Sequence, residues 1–534
     1  MARDAIESGS ALSRRHFLAT TGTAVMGATA FGLTGEAQTT THSPKRGGTL
    51  RMATRGDATG LDPHRNLLYP VSTPLAAMSQ GLLDLNGQSE PVPGIAQEWE
   101  HTPDLRTYTF ILRRGVLFHN GREVDAAAVK WNVARLQDPA KSHAFARSAL
   151  TNLKDVEILD KYTVRCHLHA PSAAFPANVV YYPCSLIAPD SEAQVDTQPI
   201  GCGPFKLVRW MRNEVTELVR FDEYFETDAA GNRLPYLDGL VGRPKKEDAV
   251  RLTSLRAGEV DMIDNIAYAN TAQFARHYGK KFQSWDVPTL GTSFIVFNLN
   301  KGPFTDKRLR QAAAHAINHE AIKAAVFYAR GDIATGFYAP ASPWYASGVR
   351  PYPEYDPDKA KFLLRQAKAE GTVVQLHSLM SYPYMQQTGE LVQAMWSEVG
   401  FVVRHHTYDD PVLRQKRRDR DFDAESTAAS YRFDPDGWFS RQLLSTSPAT
   451  ESTSGFHHAR ADQLIYEAQR TADKRKRLEL YTEIDSIVND ELPLLYIQHL
   501  TLLTAGSRSL QGYAPAISGI FSTKGGGIRT AWFA

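Results

Sequence analysis

The stretch TYTFILRRGVLFHNGREVDAAAVKWNVARL, residues 107–136, changes its structural period part-way along. Tyr108, Phe110 and Leu112 recur at every second position, as on a strand with one buried face, and the apolar pattern runs on through Val116 and Phe118. Asn120-Gly121 supplies a turn. Asp125 then stands where a helix cap is needed, ahead of AAAVKWNVARL, in which Val129, Val133 and Leu136 share one side. Strand, turn and helix in this order predict a mixed α/β chain.

The same grammar recurs outward from this point. DVEILDKYTVRCHLH (155–169) alternates on both sides of Asp160-Lys161 and predicts a hairpin. GCGPFKLVRW (201–210) sets two glycines and a proline before a strand, a sequence suited to a sharp turn or a close backbone approach. RLTSLRAGEVDMI (251–263) reads as a short helix stopped by Gly258 and followed by an apolar segment. SFIVFN (293–298) predicts a compact buried strand, and FTDKRLRQAAAHAINHEAIKAAVF (304–327) a helix from Asp306 that packs Leu309, Ala313, Ala316, Ile317 and Ile322. GGTLRMAT (47–54) predicts an edge or opening strand. Further helices are predicted over 358–369, 389–399 and 473–489. The proline- and aromatic-rich stretch 336–357 is too irregular for an element and too aromatic for a linker, so it is expected to pack over something.

The chain has 534 residues, 43% hydrophobic and 22% charged, which allows two or three domains with real cores. Its 60 basic and 58 acidic residues are interspersed, so no one-sign block points to nucleic acid or anionic lipid. At the N-terminus, SRRHFLA (13–19) is a twin-arginine pattern followed by a short uncharged run to Leu33. Gly35 and Ala37 are the small residues a signal peptidase needs. Residues 1–37 are therefore expected to be an export leader and 38–46 a polar linker, with the mature chain free in the periplasm. The three cysteines, Cys166, Cys184 and Cys202, permit at most one internal disulfide, fit no zinc spacing, and Cys166 lies on the buried face of its strand.

Catalytic chemistry has physical requirements that this chain does not meet. It has no nucleophile on a Gly-flanked turn, no pair of histidines one helical turn apart, no glycine loop ending in Lys-Ser or Lys-Thr, and no paired cysteines. His319-Glu320 has Lys323 where a zinc helix needs its second histidine. No metal and no cofactor is expected.

The blocks GGTLRMATRGDATGLDPH (47–64), residues 91–136, PIGCGPFKLVRW (199–210), LRAGEVDMI (255–263), FNLNKGPFTDKRLRQAAAHAINHEAI (297–322) and DELPLLYI (490–497) occur in one order. In this the chain resembles the family 5 extracytoplasmic solute-binding proteins of ABC transporters, the peptide/nickel type, over essentially all of 47–510. The resemblance implies a two-lobed α/β periplasmic binding protein with the ligand between the lobes. Residues 47–80, 200–290 and 505–534 would form lobe I, 81–199 its extra subdomain and 291–504 lobe II. It further implies a monomer that captures a small organic solute without altering it and delivers it to a permease and ATPase subunits. A di- or oligopeptide receptor is the alternative, and an exported hydrolase a third, weaker one.

Within SYRFDPDGWFS (430–440), Tyr431 takes the position where peptide-binding relatives carry the aspartate that receives the peptide ammonium. A phenol supplies no countercharge at neutral pH. A buried charge left unpaired costs ~2–5 kcal/mol, unless Glu425, Asp434 or Asp436 takes over. A peptide is thus the less expected solute. If the segment is extended, Arg432 shares a side with Asp434 and either pairs with it or binds an anion. Asp434, Pro435 and Gly437 read as turn formers, and Trp438 as core or pocket wall. The same positional match adds Tyr69, Trp344, Tyr345 and His457 as candidate ligand contacts.

Overall fold

Alternation at 107–112 does yield a strand, Thr107–Leu112, in an antiparallel sheet ordered Ala96–His101, Thr107–Leu112, Thr163–Leu168, Leu153–Asp160. The structure, a computed structural model, describes residues 43–66, 73–429, 432–519 and 522–534. The expected leader, Tyr69 and Tyr431 lie outside the described residues. In the predicted helix, Ala126–Gln137, the Asp125 carboxylate accepts the Ala128 N–H at 2.9 Å. Its buried side packs with Phe110, Phe118, Cys166 and Phe175 into one core, and all three cysteines are free thiols.

The main sheet has ten strands, ordered Val402–Tyr408, Val373–Leu379, Ala424–Ala429, Phe282–Phe297, Leu494–Ser507, Met262–Ile263, Thr49–Thr54, Gly239–Pro244, Val215–Arg220, Phe205–Met211. Two long antiparallel strands, Phe282–Phe297 and Leu494–Ser507, carry it from one half of the molecule to the other. Beyond them on one side Leu50, Met52, Phe205, Leu240 and Ile528 form a core. On the other side Phe297, Phe304, Ile322, Trp396 and Leu495 form another. This is a two-lobed α/β architecture, as the resemblance implied. A further core around Phe294, Phe337, Trp438 and Tyr481 takes in Leu85 and Ala177, which joins the lobe of the long strands to the four-stranded part.

Of the two readings of 47–54, the opening strand holds: Thr49–Thr54 is the first element and an interior strand, because Gly239–Pro244 and Met262–Ile263 pair with it in parallel on its two sides. Two local expectations change. The strand expected from 293 begins at Phe282, since only its second half carries a continuous buried run; a register shift between Pro288 and Thr292 separates the two halves. The helix expected to run through 304–327 divides into Lys307–His315 and His319–Val326, where the Asn318 side chain accepts the Ala321 N–H and starts a new helix. The glycines of 201–203 do mark a close approach. A Cβ on Gly201 would lie 2.1 Å from the Met78 carbonyl oxygen, and one on Gly203 2.5 Å from the Met78 carbonyl carbon.

Candidate functional site

Strand Ala424–Ala429 runs between Phe282–Phe297 and Val373–Leu379 and delivers the chain to the 432–438 turn. There the Asp434 carboxylate accepts the Asp436 N–H at 3.0 Å, and helix Asp436–Gln442 follows. The turn is held from outside its own sequence. Arg477, on helix Lys474–Glu491, donates to both Asp434 oxygens at 2.7 and 2.5 Å, with both side chains buried, and donates to the Tyr481 hydroxyl at 3.1 Å. The sequence left Arg432 either pairing with Asp434 or free for an anion. The structure gives Asp434 to Arg477, while Arg432 Nε donates to the Gly437 carbonyl at 3.2 Å and its guanidinium lies 5.6 Å from the Phe145 ring centre.

The irregular aromatic stretch does pack over something: this turn. The Tyr338 hydroxyl donates to the Arg432 carbonyl and Trp344 Nε1 to the Phe433 carbonyl, each at 3.2 Å. Trp344 is buried, with Lys474 and Arg477 over its ring at 5.2 and 5.1 Å, so it buttresses the turn and is not presented as a pocket wall. Tyr345 is half-buried in the neighbouring turn, its N–H donating to the Ser342 carbonyl. Of the two readings of Trp438, core or pocket wall, its packing is that of the core. It stacks on Phe337 at 4.1 Å, meets Phe294 edge-on, and is 1% exposed.

His457 lies towards the other end of the strand. It stands exposed 3.5 Å from Glu451, whose carboxylate is bound by Arg420 and whose carbonyl is bound by Asn300. Those partners flank the Ala424 end of the strand, whereas Arg432 lies past the Ala429 end, and the strand between them spans about 17 Å. The segment leading to Tyr69 is anchored at Asp62, which forms a buried pair with Arg135 at 2.7 Å. His64 stacks its own needs on the same arginine (Nδ1 to Arg135 at 2.8 Å), and burial pushes its pKa down to about 4.

Two of the three carboxylates that could replace the missing aspartate are paired with arginines. Both Glu425 oxygens are held by Arg417, one at 2.7 Å, and Glu425 is 1% exposed. Asp434 is occupied by Arg477. Asp436 accepts from the Ser440 hydroxyl and from Gln469 at 3.0 Å, and burial raises its pKa. Among the described residues no three His, Cys, Asp or Glu side chains converge as a metal site would require.

Behind the turn, Trp438 Nε1 donates to the Tyr496 hydroxyl at 3.2 Å, which donates to Asp485 at 2.9 Å; the Phe337 N–H reaches the other Asp485 oxygen at 3.3 Å. Among the described residues no cation pairs with this carboxylate, and burial raises its pKa to about 7. Because the folded value lies above the unfolded one, its contribution to stability is undiminished below pH ~4 and declines as pH rises towards 7. Asp485→Asn is therefore expected to raise stability by about 1–2 kcal/mol at pH 8 and to leave it nearly unchanged at pH 4, net of the weakened contact to the Phe337 N–H. Urea midpoints at the two pH values measure this, and an equal effect at both would refute it.

Several of these groups were not legible as site residues. Arg477 had one available signal: it occupies the same helical stripe as Leu480, Tyr481, Ile484 and Val488, where a charge has to find a buried partner. Arg417 and Phe145 had none, since they meet this region only through the tertiary fold.

Comparison with known proteins agrees with this architecture. Residues 90–451 match the model of the bacterial extracellular solute-binding proteins, family 5. The dipeptide-binding protein of Escherichia coli (strain K12) is 28% identical over 505 residues, which is 87% of this chain and 92% of that protein. Among solved structures, HbpA2 from Haemophilus parasuis superposes with a TM-score of 0.79 at 23% identity, covering 91% of this chain and all of that one (100%). The PBP AgaA from A.tumefacien R10, in complex with agropinic acid, gives a TM-score of 0.76 at 24% identity over 91% of this chain and 99% of its own. With a two-lobed sheet bridged by two long strands and a family match across two-thirds of its length, this chain belongs to family 5 of the bacterial extracellular solute-binding proteins.

Proposed function

We propose that the protein is the periplasmic capture component of an ABC importer, a monomer that encloses a small organic solute other than a peptide and passes it unaltered to the permease and ATPase subunits. The observation that carries this reading is the pairing of Glu425 with Arg417 and of Asp434 with Arg477. With Tyr431 in the aspartate's place, neither of these carboxylates is left for a peptide ammonium, and Asp436 is bonded to neutral donors with its charged form disfavoured by burial. Residues 47–80, 200–290 and 505–534 serve as lobe I, 81–199 as its subdomain and 291–504 as lobe II. The two long strands are the hinge, and the solute stabilises closure by its extra contacts in the closed form. Tyr69, Tyr431 and Arg432 are the proposed solute contacts. Export follows the twin-arginine route, which requires a mature N-terminus close after Ala37.

A peptide receptor is the second reading, favoured by the E. coli relative, whose name is that of a dipeptide-binding protein. A thermal-shift panel with native mass spectrometry of the purified protein separates the two. The first reading expects a co-purified non-peptide solute of unchanged mass on release. Stabilisation by dipeptides alone would replace it with the second, and a cleaved solute would contradict both. Tyr431→Ala is expected to weaken solute binding about tenfold or more while moving the melting temperature of the empty protein little; unchanged affinity removes Tyr431 from the site.

A further inference from the structure

The twin-arginine pattern SRRHFLA (13–19) is a motif that solute capture does not account for. A leader of this kind sends a chain out after it has folded, whereas the general secretory route threads it unfolded. Closing two lobes on a solute needs neither route in particular. What separates the routes physically is the compartment in which the core forms, since the cytoplasm keeps thiols reduced and the periplasm oxidises them. The chain has thiols at stake there. Its three cysteines, at 166, 184 and 202, follow one another at intervals of 18 positions, a separation at which an unfolded chain closes loops readily.

In the fold all three meet in one core. Cys166 and Cys202 belong to the core of the four-stranded part, Cys184 packs against it, and all are free thiols. Each sulfur is committed to its own surroundings. Cys166 lies on an interior strand, opposite Tyr108 on one side and Val156 on the other. Cys184 Sγ donates to the Asn178 carbonyl at 3.5 Å, and Cys202 Sγ lies 3.7 and 3.9 Å from the carbonyl oxygens of Gln80 and Leu186. A disulfide brings two sulfurs to ~2 Å, so a bridge between any two of them draws at least one out of this core. Once the fold is closed, burial pushes each thiol up to about 12, and Cys166 and Cys202 are only 2% and 0% exposed. In the unfolded chain the same thiols have ordinary acidity, with a few per cent thiolate at neutral pH.

We infer that the twin-arginine route serves these three cysteines: the core closes over them in the reducing cytoplasm, because a chain folding in the periplasm is diverted into non-native disulfides. This rests on the export reading above and deepens it. The diverting step is exchange with a periplasmic thiol–disulfide oxidoreductase. A thiolate of the unfolded chain attacks the oxidoreductase disulfide, and a second chain thiolate displaces the mixed disulfide. The chain gives up two electrons and two protons and gains one S–S bond, and the oxidoreductase leaves as its dithiol. The third chain thiol remains able to attack that bond, so the bridge shuffles among the cysteines without any pairing being native.

Replacing residues 1–37 by a general secretory leader tests this in cells, with Cys166→Ala/Cys184→Ser/Cys202→Ser made behind both leaders. Behind the secretory leader the wild-type sequence is expected to give several-fold less native periplasmic protein, with bands on a non-reducing gel that merge into one on reduction. The triple variant is expected to give the same native yield behind either leader. Purified wild type supplies a second test that does not depend on the variant's stability. Folded protein should keep its three free thiols in oxidised glutathione, whereas urea-unfolded protein diluted into the same buffer should regain its native structure only with reductant present. Equal native yield of wild type behind both leaders, refolding unhindered by the oxidant, or thiols lost from folded and unfolded protein equally fast would each overturn the inference. So would a triple variant that accumulates behind its own leader but is no better than wild type behind the secretory one. If Arg14→Lys/Arg15→Lys leaves export unchanged, the twin-arginine reading fails and the inference with it, while solute capture stands.

Discussion

An Arg477→Met variant is expected to lose about 3–5 kcal/mol of folding stability, because it abandons Asp434 as a buried charge. Asp434 and Arg477 are both almost fully buried and joined by two hydrogen bonds, so the methionine would leave a buried carboxylate with the Asp436 N–H but no cation to offset its charge. The loss should fall on one place. Arg477 also holds the Tyr481 hydroxyl and lies over Trp344, whose indole grips the Phe433 carbonyl, so the support of the 432–438 turn weakens with it. Solute affinity should then decline together with the urea midpoint. The double variant Asp434→Asn/Arg477→Met removes both charges and is expected to regain a large part of the stability, since a buried ion pair is costly to break and much less costly to replace. A double variant no more stable than the single one would show that the helix, and not the stranded charge, was responsible.

Arg529→Met should have an effect of similar size, about 3–5 kcal/mol at neutral pH, with a marked dependence on pH. Arg529 is buried between Asp84 and Glu226, bonding Asp84 directly and Glu226 at 3.1 Å, with its Nε on the Ser522 hydroxyl at 2.9 Å. Gln80 bridges the same carboxylates at 3.1 and 3.3 Å, and its own carbonyl accepts from Tyr224. Even with the arginine present, burial holds the Asp84 carboxyl above the usual range. Without it, two acids face each other and their folded-state pKa values rise further. Groups raised in this way cost nothing below the unfolded carboxylate value of ~4 and cost progressively more as pH climbs through the folded value. The deficit of the variant should therefore be large at pH 7.5 and shrink towards pH 4.5 in urea titrations. A deficit independent of pH would indicate lost packing of the arginine stem in place of stranded charge.

Parts of this chain were readable because their causes are local. The Asp125 cap, the alternation of Thr107–Leu112, the hairpin around Asp160-Lys161 and the helix stop at Gly258, which adopts a φ of +72°, each depend on residues a few positions apart. What stayed open lies where a partner is far along the chain. The sequence leaves Thr49–Thr54 either an edge or an opening strand, because nothing near it announces Gly239–Pro244 on one side and Met262–Ile263 on the other. Trp438 is the same kind of case, since an aromatic beside a turn carries no mark of the depth at which it finishes. The pairing of Asp434 with Arg477 in preference to Arg432 needed a helix 43 positions away to be brought alongside.

By itself the sequence determined a mixed α/β chain, its blocks carried the resemblance to two-lobed solute-binding proteins, and the residue type at 431 argued against an ammonium anchor. Periodicity, capping and turn chemistry act between neighbours, and neighbours are what a sequence displays. Only the tertiary structure decided which carboxylates were already paired with arginines and which aromatic rings were core. Charge compensation depends on distance in space, and residues hundreds of positions apart are set side by side only when the lobes fold and pack.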